Sequence, residues 1–172
     1  AGWVLLVASA LALLLGRAER ALRADDGRRQ RVTQECTVLP TGDIRLVHTI
    51  RLPLAAYTAL KDEVRNTALL LRRLGIGSQA TLFADAHAAY DDEQSAVRVE
   101  ARMVGGARSR GALWHVPIVN AREQEVLEQA PDRIRLLTIV ELSDGTDQVV
   151  TTSLVFPPGT RGVRLDADAG RV

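Results

Sequence analysis

The sequence predicts an α+β protein in which an N-terminal apolar helix precedes a mainly antiparallel β-sheet domain with one amphipathic helix packed on it. Three observations carry that expectation. Most of the chain alternates apolar and polar residues between clusters of Asp, Gly and Pro, the pattern of consecutive hairpins. One stretch, 54–74, instead repeats apolar residues every three or four positions, the period of a helix. Ahead of both stands an uncharged apolar run that fits neither pattern.

That run comes first. Trp3, Val4, Leu5, Leu6, Val7, Leu11, Leu13, Leu14 and Leu15 crowd one short segment, interrupted only by alanines and Ser9. Burying each large apolar side chain is worth roughly 1.5–3 kcal/mol, so leaving all nine in water would forfeit on the order of 14–27 kcal/mol. A typical domain is stable by only about 5–15 kcal/mol. The segment therefore requires an apolar home. As an α-helix, residues 1–16 would cover about 24 Å, against a bilayer core of roughly 30 Å. The run is short for a spanning helix and well sized for the apolar part of a secretory signal or signal anchor.

A basic neck follows. Arg17, Arg20, Arg23, Arg28, Arg29 and Arg31 face only Glu19, Asp25 and Asp26. Such a flank tends to stay on the cytoplasmic side of a membrane, and it can also meet anionic headgroups or neighbouring subunits. An apolar helix, a charged continuation and a β-rich head together resemble the type IV pilins in architecture. That resemblance implies a filament whose core is built from the apolar helices. The chain departs from the pilin pattern where the pattern is most specific. Pilins begin the mature chain with an aromatic residue or Met and carry Glu at the fifth position, and here those places hold Ala1 and Leu5. An uncleaved signal anchor is the plainer reading of the same residues. The division expected is a helix and neck over 1–30 and an exported domain over 31–172.

Within the domain, the alternating segment 31–39 ends at Pro40-Thr41-Gly42-Asp43, a strong turn signal. Ile44, Leu46, Ile50 and Leu52 then share one side of a strand while Arg45, Val47, Thr49 and Arg51 take the other, completing a hairpin. Pro53 opens the helix over 54–74. Tyr57, Leu60, Val64, Ala68, Leu71 and Leu74 form its apolar face, and Gly75 and Gly77 end it. Strands are expected over 80–90 and around Val97, Val99, Ala101 and Met103, the clearest alternation in the chain. The segment 105–111 reads as a flexible loop, 112–119 as a strand placing Trp114 in the core, and 120–130 as ambiguous. Strands over 133–142 and 148–156 flank a turn at 143–147, Pro157-Pro158-Gly159 breaks the pattern, and 163–165 adds a last edge strand. Taken in order, this is a meander.

Composition narrows function. The net charge is +1, from 22 basic and 21 acidic residues, so no overall field recruits nucleic acid. Two Trp, two Tyr and two Phe leave little for a base-stacking platform. Cys36 is the single cysteine, which excludes an internal disulfide, and its place in a strand marks it as a small buried hydrophobe.

Candidate chemistry is sparse. Asp85 and His87 stand two apart on a strand and would project from one face, as a metal or acid–base pair requires, with His48 and His115 as the only other imidazoles. Arg108 and Arg110 lie between glycines in 105–111, an arrangement that could cradle an anion, though no P-loop ending follows. The acidic turns Asp91-Asp92-Glu93 and Asp144-Gly145-Thr146-Asp147 lack the spaced oxygen ligands of a calcium loop. No serine sits in a nucleophile elbow. The expectation is a non-enzymatic structural subunit without cofactor or metal, whose partners are other copies of itself, envelope proteins or a lipid bilayer. The alternative is a tethered ligand-binding domain with a pocket between the helix and the sheet.

Overall fold

The computed structural model describes residues 29–63, 66–74, 76, 80–110, 113–116, 123–141 and 147–162. The apolar run, the neck through Arg28, the turn at 142–146 and the expected strand at 163–165 lie outside these residues. No helix among the described residues is long and apolar enough to cross a membrane.

Among the described residues nine strands and two helices follow in the order β1 (Arg29–Val38), β2 (Ile44–Arg51), α1 (Leu54–Glu63), α2 (Thr67–Arg73), β3 (Phe83–Asp91), β4 (Ala96–Met103), β5 (Arg108–Arg110), β6 (Leu113–His115), β7 (Glu123–Ala130), β8 (Arg133–Glu141) and β9 (Asp147–Val155). The hairpins expected from turn residues are present. The β1–β2 pair sets Val32 against Ile50 and Val38 against Ile44, around a turn closed by Gly42 N–H donating to Leu39 O at 2.9 Å. β3 pairs with β4 and β8 with β9, both antiparallel. The ambiguous segment is strand β7, paired antiparallel with β8.

The α+β expectation, with its antiparallel sheet and single covering helix, is overturned. The protein is mostly β, and its main sheet is mixed. Seven strands lie in the order β3-β4-β2-β1-β9-β8-β7, and β1 runs parallel to β9 from Arg29↔Asp147 to Thr37↔Val155. This is not a meander. β4 docks on β2 across an intervening strand and helical segment, and the first and last strands of the sheet meet at its centre. The segment read as a loop contains β5, which forms a separate two-stranded finger with β6. Trp114 sits on that finger, half-buried against the main core rather than inside the sheet.

The helix expected over 54–74 is two helices. Asn66 explains the restart, because its side-chain oxygen accepts from the backbone N–H groups of Ala68 at 2.9 Å and Leu69 at 3.2 Å. That is an N-cap, which satisfies donors a continuous helix would have bonded internally. Both helices cover one face of the sheet. Tyr57, Leu70, Leu71 and Ile76 pack there with Val32, Cys36, Leu46, Ile50, Val97, Val99, Leu136 and Leu154. The inward alternation read from β2 and β4 is the one observed, with Leu46, Val97 and Val99 fully buried.

Candidate functional site

The helices leave the opposite face of the β3-β4-β2-β1 half open. Alternation sends every second residue of each strand to that face. It carries Arg31, Arg45, Arg51, Arg98 and Arg102, with Glu35, Glu100, Asp85 and His87 among them. Glu100 is the hub, with a carboxylate 2.8 Å from Arg98, 3.7 Å from Arg45 and 3.7 Å from His87. Arg102 is held at the far end of the face by Asp43 at 2.8 Å and Asp85 at 3.0 Å. Those two carboxylates neutralise it, whereas Arg45 and Arg98 share Glu100.

At the other end of this face an open depression of about 260 Å³ is lined by Thr49, Arg51, Ala89, Tyr90, Asp91, Gln94, Ala96 and Arg98. Register explains it. Arg51 stands opposite Ala96, and Thr49 opposite Arg98, which stands opposite Ala89. Arg51 and Arg98 are thus diagonal neighbours, with backbones roughly 7–8 Å apart, and the small side chains of Ala96 and Ala89 leave the space around them unfilled. Arg51 donates from Nη2 to Gln94 Oε1 at 2.6 Å, which steadies one guanidinium, and Glu100 steadies the other. Asp91 is turned into its own β3–β4 turn, where it accepts from the N–H groups of Glu93 and Gln94, each at 3.0 Å.

The residues singled out in the sequence fare differently. Trp3, Val4, Leu5, Leu6, Val7, Leu11, Leu13, Leu14 and Leu15 lie outside the described residues, as do Arg17, Arg20, Arg23 and Arg28. Arg29 and Arg31 belong to β1 and so to the sheet itself. Arg108 and Arg110 fall in β5, where they pair with His115 and Leu113, in a finger and not a cradle of glycines. Asp85 and His87 do not form an acid–base pair. A β-bulge between Ala84 and His87 turns the chain, Asp85 adopts φ 53°, and its carboxylate goes to Arg102. His87 has its Nδ1 3.4 Å from the backbone oxygen of Asp85 and its Nε2 toward Glu100. His48 is buried on the opposite, helix-covered face, and His115 is exposed on the finger. Among the described residues no group of three His, Cys, Asp or Glu side chains could hold a metal ion. Of the acidic turns, 144–146 lies outside the described residues. In the other, Asp92 accepts from the Tyr57 hydroxyl and from Lys61 Nζ at 2.7 and 2.9 Å, which clamps α1 onto the β3–β4 turn.

Among the described residues Tyr57, Leu70 and Leu71 pack between the helices and the sheet, and the depression lies on the sheet's other side. Its residues, 47 positions apart for Arg51 and Arg98, carried no local signal. Each reads singly as an outward-facing arginine, and only the β2–β4 pairing brings them together. No protein family, curated protein or solved structure matches this chain.

Proposed function

We propose that this chain is a non-enzymatic, exported structural subunit, held by its N-terminal apolar segment in a membrane or in the core of an assembly of pilin-like architecture. The observation that carries the reading is the run from Trp3 to Leu15, whose burial a soluble monomer does not supply. Two features of the head are consistent with it. β1, the strand into which the segment leads, is paired on both sides, to β2 and to β9, so a pull on the tether is shared by two ladders. Both edges of the sheet are interrupted, β3 by the bulge between Ala84 and His87 and β7 by a bulge between Val126 and Glu128. Bulged edges resist pairing with another copy, which is consistent with association through the N-terminal segment.

The test compares the full chain with a form lacking residues 1–16, prepared without detergent and viewed by electron microscopy and sedimentation. The expected result is membrane-bound material or ordered particles from the full chain and a soluble monomer from the shortened one. A full chain that stays a monodisperse monomer in plain buffer overturns the proposal. A tethered ligand-binding head is the second reading, and the depression on the open face is what favours it.

A further inference from the structure

We propose that the depression between Arg51 and Arg98 binds a phosphate-bearing anion, either free phosphate or the phosphate of a lipid headgroup. The inference concerns the head alone and does not depend on where residues 1–16 reside.

The argument starts from the donors. Arg51 and Arg98, on the adjacent strands β2 and β4, both line one hollow, and each guanidinium carries five N–H donors in a planar fork suited to paired phosphate oxygens. Arg51 uses one of its groups on Gln94 and Arg98 one on Glu100, so both are oriented while donors remain. Thr49 lies between them, directly across from Arg98 and two residues from Arg51 on β2, and contributes a hydroxyl. Gln94, accepting through its oxygen, adds an amide NH₂. A phosphate presents several acceptor oxygens and more than one negative charge, which matches two cations better than a single carboxylate does.

Shape agrees with this chemistry. Drug-sized ligands occupy roughly 300–1,000 Å³, and this hollow of about 260 Å³ suits a small ion or the end of a larger molecule. Its mouth is open, and the Arg98 side chain is 56% exposed, so a headgroup in a surface can reach it. Asp91 is the one acid in the lining. Its carboxylate is engaged by two backbone N–H groups of its own turn, which draws it toward the turn and away from the centre.

The experiment uses the full chain in a non-ionic detergent, with inorganic phosphate titrated at constant ionic strength and the backbone amides of Thr49, Gln94 and Ala96 followed by NMR. Saturable shifts at these positions are expected. The double variant Arg51→Gln/Arg98→Gln is expected to bind about a hundredfold more weakly, since each charged hydrogen bond lost costs about a factor of ten. Arg31→Gln, on the same face but outside the hollow, is expected to bind as the parent does, and thermal melts confirm that both variants fold. A second arm presents phosphatidylcholine vesicles with and without phosphatidic acid. Shifts with phosphatidic acid as well as phosphate assign the site to a headgroup, and shifts with phosphate alone assign it to the free ion. No saturable response to either, or equal weakening by Arg31→Gln, overturns the proposal.

Discussion

His48 is 4% exposed, and among the described residues neither of its ring nitrogens has a hydrogen-bond partner. Its cross-strand neighbours, Gln34 and Val99, carry no charge. Burial disfavours the imidazolium and pulls its pKa down from 6.5 to about 4. The unfolded chain therefore takes up this proton near pH 6.5 while the folded chain resists until about pH 4. Stability from this group is intact above pH 6.5 and drains away as pH falls toward 4, by roughly 3 kcal/mol in all. A His48→Leu variant should lose that sensitivity, and urea melts at pH 7 and pH 4.5 compare the two slopes. At pH 7 it should also gain about 1–2 kcal/mol, because two unpaired polar atoms leave the core. A loss at pH 7 would mean that the ring has a partner. Cys36 gives the opposite case. Burial pushes its thiol up to about 12, so almost no thiolate exists at neutral pH. A thiol reagent added to the folded protein should leave it unmodified, with reaction appearing only in denaturant. This much was legible early, since a lone Cys on the inner face of an alternating strand reads as a small hydrophobe. The missing partners of His48 were not, because alternation places a residue on a face without saying what shares it.

The turn between β1 and β2 shows how elements are tied together. Gly42 has φ +87°, and a Cβ there would stand 2.9 Å from the backbone oxygen of Ala107. That approach is made by a hydrogen bond, Ala107 N–H donating to Gly42 O at 2.8 Å, which seats the β5–β6 finger and Trp114 on the turn. Gly42→Ala should therefore cost about 1–3 kcal/mol from strained backbone and displaced finger together, and a red shift of the ultraviolet-excited tryptophan emission in the variant would report the displacement of Trp114. The same turn is held from the side by Asp43, which accepts from Gly105 N–H at 2.9 Å and from Arg102 at 2.8 Å. These bonds, the Gly105 N–H first, hold its carboxyl below the usual range. Its contribution is thus present above the unfolded carboxylate pKa and lost only in stronger acid than the His48 effect. On the helix side, Leu71 is wholly buried, and Leu71→Ala should cost about 2–5 kcal/mol in a denaturant melt. Turn residues made the hairpins legible. The break between the two helices had a readable signal, Asn66 ahead of Thr67-Ala68-Leu69, but the apolar period runs through it and hid it.

As a whole, the main sheet is two antiparallel units, β3-β4-β2-β1 and β9-β8-β7, joined at one parallel seam between β1 and β9. Nothing in a period of two residues names a partner, so the sequence could show every strand at the seam without showing the seam. The core crosses it: Val32 and Cys36 of β1 pack in one cluster with Leu154 of β9 and with Ile134 and Leu136 of β8. That continuity argues against two halves opening separately, because parting the seam would expose side chains that both halves bury. The seam also joins segments more than a hundred residues apart, so its loop-closure entropy is met only once most of the chain is in place. Folding should accordingly be slow and governed by the arrival of β9. Native-state hydrogen exchange distinguishes the two pictures. If the sheet is one cooperative body, amides of β1 and β9 should exchange only through global unfolding, while those of the bulged edge strands β3 and β7 exchange sooner through local opening. Seam amides that exchange as fast as those of β7 would instead mean that the halves separate in the native state. A tether leading into β1 would then pull on four strands and not seven, and the sharing of load between two ladders would fail with it.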